Sequence, residues 1–273
     1  MHKFAVSSNL YYSSLFLPQD KKNAISNIYD FYTEIENIIY TCSDTAIAQQ
    51  KLVWWSNEID RIFNGLPQHP IGKNLALTVK KFELPRLWFD EILQGIAMDL
   101  RYQGYETFAD LKLYCHCTTS TVNMLMATIY GYKNQTTLEY AKQLGIAVKI
   151  VKIITNIGKD ARYNRIYIPE DYMAAAHITP TEILNLQISD SKKFCNLMSK
   201  IAILARDYYN KAIQQLPQED REAQVGGIIM AKIYFRILTE VENTNFNVMH
   251  QKITITPLHK LWIAWLSHWQ YTG

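Results

Sequence analysis

Glycine and proline are scarce in this chain of 273 residues, at ten and eight. With 48% hydrophobic residues, that balance argues against a turn-rich sheet protein and fits a well-buried helical body. Charge of one sign is also lacking. A formal net charge of +3, with no basic run and no recognition motif, argues against a nucleic-acid-binding role. Cysteine is sparse: Cys42, Cys115, Cys117 and Cys195 make no metal-spaced set. They read as free thiols in a reducing compartment. No apolar run reaches the roughly 18 residues of a spanning helix. The opening MHKFAVSSNL has neither the apolar stretch of a secretory signal nor Arg-rich amphipathic character. These absences predict a cytoplasmic protein with at most peripheral membrane contact. No Gly/Ser linker, low-complexity block or repeat divides the chain, so residues 1–273 are expected to form one domain.

What is present is helical periodicity. Residues 17–40 open with Pro18 and place Ile25, Ile28, Tyr29, Tyr32, Ile35 and Ile39 at helical spacing. Further helices are expected over 48–63, 73–82, 85–99, 107–131 and 136–156, then 179–187, 190–215, 220–242 and 258–269. A charged loop is expected over 158–169. Strand-like alternation appears only weakly, in KITIT at 252–256. The fold class is therefore all-α. The last helix carries Leu258, Leu261, Trp262, Trp265, Leu266 and Trp269 on one stripe. Such a stripe suits either a core lid or a helix lying at a bilayer surface. With only Lys260 as basic charge, core packing is the preferred reading.

The stretch LGIAVKIVKIITNIGKDARYNRIYIP, 144–169, carries the most information. Asn156 and Asp160 lie one helical turn apart on one face. Two carboxylates at that spacing would chelate Mg²⁺ and present it to a diphosphate. Here one position is a neutral amide, and Lys149 and Lys152 share the stripe. Elsewhere the chain shows NLYYSSLFLP at 9–18, WWSNEIDRIFNGLPQHPIGKNL at 54–75, Leu84-Pro85 and Met98-Asp99-Leu100. YETFADLKLYC at 105–115 and DARYNRIYIPED at 160–171 complete the series.

In order and spacing these segments resemble the squalene/phytoene synthase family, enzymes that join two prenyl diphosphates head to head. The resemblance implies the class I isoprenoid synthase fold, a helical bundle around a central cavity with two aspartate-rich helices facing across its mouth. Family chemistry uses Mg²⁺ held by carboxylates of both helices to neutralise the departing diphosphate. The resemblance puts the first ligand pair on Glu36 and Tyr40 and the second on Asn156 and Asp160. A phenol is a poor Mg²⁺ ligand at neutral pH. Asn37 stands at a usual Asp and Thr33 at a usual Arg. Lys149, Lys152 and Thr155 occupy positions usually held by Gln, Asn and Arg, and each lysine repels Mg²⁺. Ser120 and Asn123 replace small glycines of the middle helix. Arg162, Arg165 and Tyr167 keep the family's basic loop, and Lys252 stands where an Arg is usual.

The resulting expectation is a degenerate site. Glu36 and Asp160 are remnants of the catalytic set, with Lys149, Lys152, Arg162, Arg165, Tyr167 and Lys252 as substrate-side groups. No metal or cofactor is expected. If the protein is active, Mg²⁺ would sit on Glu36 and Asp160, with NADPH needed only for squalene formation. The lysines are expected to form salt bridges with Glu34, Glu36 or Asp160, since a partly buried carboxylate cluster demands counter-charge. The favoured reading is a catalytically impaired family member, a pseudoenzyme binding a prenyl or lipid-like ligand or a protein partner. An active head-to-head prenyltransferase is the alternative, and an interaction module with a filled cavity is the third. His69 reads as structural and His116 as a helix-packing residue, while His259 and His268 flank the last helix without a metal-like companion.

Overall fold

The computed structural model describes residues 8–42, 44–101 and 104–272. Among them are thirteen α-helices, one π-helical turn and one 3-10 turn, and no strand, so the KITIT segment is irregular. In chain order the helices are α1 (Asn9–Ser13), α2 (Gln19–Thr41), α3 (Thr45–Phe63), α4 (Pro70–Phe82) and α5 (Arg86–Leu100). Next come α6 (Phe108–Cys115), the π-turn His116–Ser120, α7 (Thr121–Tyr130) and α8 (Thr136–Arg162). The chain then forms α9 (Glu170–Ala175), α10 (Pro180–Leu184), α11 (Ser191–Gln215), α12 (Val225–Asn243) and α13 (Pro257–Thr272).

Local chemistry sets the ends of these elements. Asp44 caps α3 by accepting the Ala46 N–H at 2.7 Å. Pro70 opens α4, and His69 Nδ1 accepts the Ile71 N–H at 3.3 Å. Buried Glu58 binds that turn: it accepts the Gln68 and His69 N–H groups at 2.8 Å each and pairs with Arg61 at 2.6 Å. The HPI segment is thus a structural corner, with His69 as a cap.

The core has two main bodies. Apolar faces of α2, α3, α4, α5 and α7 close over Phe31, Ile59, Leu75 and Phe89. The other body surrounds α8, against which α11 and α12 lay Leu197, Met198, Ile229 and Ile233. α8 is buried on nearly every side, as a helix apolar all round should be. Its close packing depends on Gly145: a Cβ there would lie 2.2 Å from the Ser120 Cα.

Three expectations change. The helix expected over 107–131 is interrupted at His116–Ser120, where Thr118 Oγ1 donates to the Tyr114 carbonyl at 2.7 Å and Thr121 Oγ1 to that of His116 at 3.0 Å. The helix expected to stop near 156 continues to Arg162, so Gly158 and Asp160 are helical and the loop begins after them. Gly158 survives in the helix because its bare face meets Met249: a Cβ would lie 1.9 Å from the Met249 carbonyl oxygen.

The third correction concerns α13. Its aromatic stripe does not enter the core. Leu258, Leu261, Trp262, Trp265, Leu266 and Trp269 are exposed, while Lys260, Ala264 and Ser267 are buried. Small Ala264 and Ser267 let the helix approach α1 and α12 closely, which turns the large side chains outward.

Candidate active site

The site grows from the end of α8. Asn164 adopts left-handed backbone, φ +57°, a conformation Asn tolerates better than most residues. The Asn164 N–H donates to the Ala161 carbonyl at 2.9 Å and the Arg165 N–H to that of Asp160 at 3.0 Å. This is the Schellman closure of a helix. It reverses the chain and carries Arg165 and Tyr167 back against α5.

There they converge on Asp99, which is almost wholly buried. Arg165 Nη1 binds Asp99 Oδ1 and donates to the Asp99 carbonyl at 2.8 Å. Tyr167 and Tyr114 each donate a hydroxyl to Asp99 Oδ2 at 2.8 Å. The two rings stack at 5.4 Å with an interplanar angle of 8°. Burial raises both phenols well above the ordinary range, so they act as fixed donors.

Lys149 leans on this group. Its Nζ lies 4.5 Å from the Tyr114 ring centre and donates to the Tyr114 hydroxyl at 3.2 Å. One continuous chain therefore runs from ammonium to phenol to carboxylate. Asp160, also buried, faces the same space. Burial pushes its carboxyl up to about 7, against the opposing pull of Lys149 and Lys159, while the charges of Asp99 and Glu36 push it further up. From α2, Tyr40 joins edge-on to Tyr163 at 5.1 Å and lies under Lys159 at 4.6 Å. Burial and then the charges of Asp160, Glu36 and Asp99 raise its hydroxyl. Glu36 accepts the Tyr32 hydroxyl at 2.8 Å. Lys152 lies 5.7 Å from the Tyr234 ring centre. Burial works against its charge, but Tyr234, Glu36 and Tyr29 outweigh burial and raise its pKa.

Glu36, Tyr40, Lys149, Asp160, Arg165 and Tyr167 thus share one electrostatic neighbourhood, with Lys152 beside Glu36 and Asn156 half-buried one turn before Asp160. Arg162 and Lys252 lie elsewhere. Exposed Arg162 donates to the carbonyls of Gly158 at 2.6 Å and Met249 at 3.5 Å. Lys252 is exposed and its charge is felt by Lys260. The expected lysine–carboxylate salt bridges are replaced by lysine–tyrosine contacts. Among the described residues neither Lys149 nor Lys152 has an ion pair within 4 Å, because tyrosine rings and hydroxyls occupy that space.

The squalene/phytoene synthase family model matches residues 5–259. The chain belongs to the squalene/phytoene synthase family. It is 26% identical over 262 residues to phytoene synthase 1 of Arabidopsis thaliana, covering 93% of this chain and 61% of that protein. It is also 26% identical over 261 residues to phytoene synthase 2 of Solanum lycopersicum, covering 93% of this chain and 84% of that one. A crystal structure of a ligand-bound dehydrosqualene synthase superposes with a TM-score of 0.84 at 20% identity, over 97% of this chain and 92% of that one. This chain spans less than two thirds of several plant relatives it matches.

The family's metal chemistry needs carboxylates in facing pairs, and the donor set here does not fit a metal cluster. Asp99 is saturated by Arg165, Tyr114 and Tyr167. Asp160 is buried with the Lys149 and Lys159 charges acting on it, and Glu36 shares its helix face with Tyr40. Among the described residues no group of three or more His, Cys, Asp or Glu is placed to hold a metal ion. Asp99 and Tyr114 join the site without having been expected there. Both lie inside family-like segments, Met98-Asp99-Leu100 and 105–115, but a lone acid on an apolar helix gives no spacing signal.

Proposed function

We propose that this family member is catalytically impaired and works by binding a prenyl or other lipid-like molecule, or a protein partner, through the retained bundle. The carrying observation is the seat of Lys149 against the Tyr114–Asp99 group, with Tyr40 and Asn156 at the positions where the family resemblance puts metal ligands. The Lys149 ammonium is tied to Asp99 through the Tyr114 hydroxyl and its charge acts on Asp160, which supplies positive charge near the acids that a metal would otherwise face. The same ammonium, with Arg165, offers positive charge to an anionic head group without metal. One domain over residues 1–273 and a cytoplasmic or membrane-peripheral location belong to this proposal.

A second reading, an active head-to-head prenyltransferase, draws support from relatives that are themselves named phytoene synthases and from the retained Arg165 and Tyr167. In that reading Glu36 and Asp160 would carry Mg²⁺, and NADPH would serve only a squalene-forming reaction. The test incubates the purified chain with farnesyl or geranylgeranyl diphosphate, Mg²⁺ and NADPH. The expected result is no pyrophosphate release and no condensed product. Turnover that disappears in Asp160→Asn would overturn the proposal in favour of the second reading.

A further inference from the structure

The outer face of α13 serves no part of the site and is inverted relative to ordinary amphipathic packing. Leu258 is 78% exposed, Trp262 56%, Trp265 50% and Trp269 69%, whereas Lys260 is 7% exposed. Trp262 and Trp265 stack at 5.5 Å, which holds the indoles as one plate. Phe16, itself exposed, stacks on His268 at 4.1 Å and widens the plate from the neighbouring chain segment. Contiguous apolar patches of this kind mark a partner or a membrane.

We infer that α13 is an interfacial helix that lies flat on an anionic lipid bilayer through Trp262, Trp265, Trp269, Leu258, Leu261 and Phe16. Charge selects the occupant. From residue 243 to residue 273 there is no Asp or Glu, while exposed Lys252 and three histidines fall in that span; Lys260 is buried and adds no charge to the surface. Acids of the adjoining α12 are already matched: Glu240 with Arg236 at 2.6 Å, and Glu242 with Arg206. A second copy would bring the same acid-free surface against itself, without complementary charge. Indoles favour the head-group layer, where their ring is dry and their N–H wet. At sixteen residues α13 is about 24 Å long, and no helix among the described residues is long and apolar enough to cross a membrane. It lies on the bilayer rather than through it. This inference stands whether or not catalysis survives.

The test sediments the full chain with vesicles of phosphatidylcholine alone and of phosphatidylcholine mixed with phosphatidylglycerol, beside the variant Trp262→Gln/Trp265→Gln/Trp269→Gln. These side chains are exposed, so the variant should keep its circular dichroism. Expected is binding that is stronger on the anionic vesicles and falls at least about tenfold in the variant. Brominated lipid should quench the tryptophan emission of the parent chain and much less of what remains in the variant. No sedimentation with either vesicle, or equal binding by the variant, overturns the inference. So does a dimer in analytical ultracentrifugation that the variant abolishes while vesicle binding is absent.

Discussion

Asp160 concentrates the site's electrostatics in one side chain. A buried carboxyl raised to about 7 binds its proton more tightly in the folded chain than in the unfolded one, where it ionises near 4. Between those values the folded state holds more protons, so this group's contribution to stability falls as pH rises. The gap corresponds to ~4 kcal/mol. Asp160→Asn removes that dependence. Urea unfolding should show the variant close to the parent chain at pH 4 and more stable than it at pH 8, by up to ~4 kcal/mol. An equal difference at both pH values would assign the titration to another group. Cys115 is pushed by burial up to about 12 and Cys117 to about 11, so neither thiol competes as a nucleophile near the site.

Among the elements, the closure of α8 decides whether Arg165 reaches Asp99. Asn164 holds left-handed backbone there, and a residue with an ordinary Cβ is strained in that conformation. Asn164→Ala should lower stability by ~1 kcal/mol, whereas Asn164→Gly should be neutral or slightly stabilising. Chemical denaturation of the two variants checks this, and equal losses would count against the closure as the cause. A stop in this region is legible in the sequence, but Gly158 resembles a breaker and draws the expected end too early. Its tolerance comes from Met249, a residue distant in sequence. The interruption at His116–Ser120 has no local sign, because HCTTS contains neither Gly nor Pro. α13 shows the same limit differently: periodicity locates its apolar stripe correctly but carries no information on which side meets the core.

For the whole molecule, the family motifs reveal the fold because each one marks a corner or a close helix contact. Glu58 with the HPI turn is one example, and Gly145, whose bare face admits Ser120, is another. What they cannot reveal are pairings set by three-dimensional packing, such as Lys149 on Tyr114. Long-range ties of that sort hold the bundle together. Buried Asp220 accepts the Lys133 N–H at 2.7 Å, the Asn134 N–H at 3.1 Å and the Thr137 hydroxyl at 2.6 Å. It thereby anchors the start of α8 to the segment leading into α12. Burial opposes its charge, yet the bonds from Thr137, Lys133 and Asn134 prevail and lower its pKa. Asp220→Ala leaves three donors unmatched and should cost on the order of 3 kcal/mol in global unfolding. A loss below ~1 kcal/mol would show that water replaces the carboxylate.

The π-turn at His116–Ser120 has a mechanical consequence. It acts as a phase shifter between two fittings on one continuous rod: Tyr114 on Asp99 before it, Ser120 on Gly145 at its end. Each residue added to or removed from an α-helix rotates the rest of that helix by about 100°. Deleting one residue within the turn would therefore let the rod run as plain α-helix and satisfy only one fitting at a time. The chain would keep its bundle and lose the hold on Asp99, or keep that hold and unseat α8.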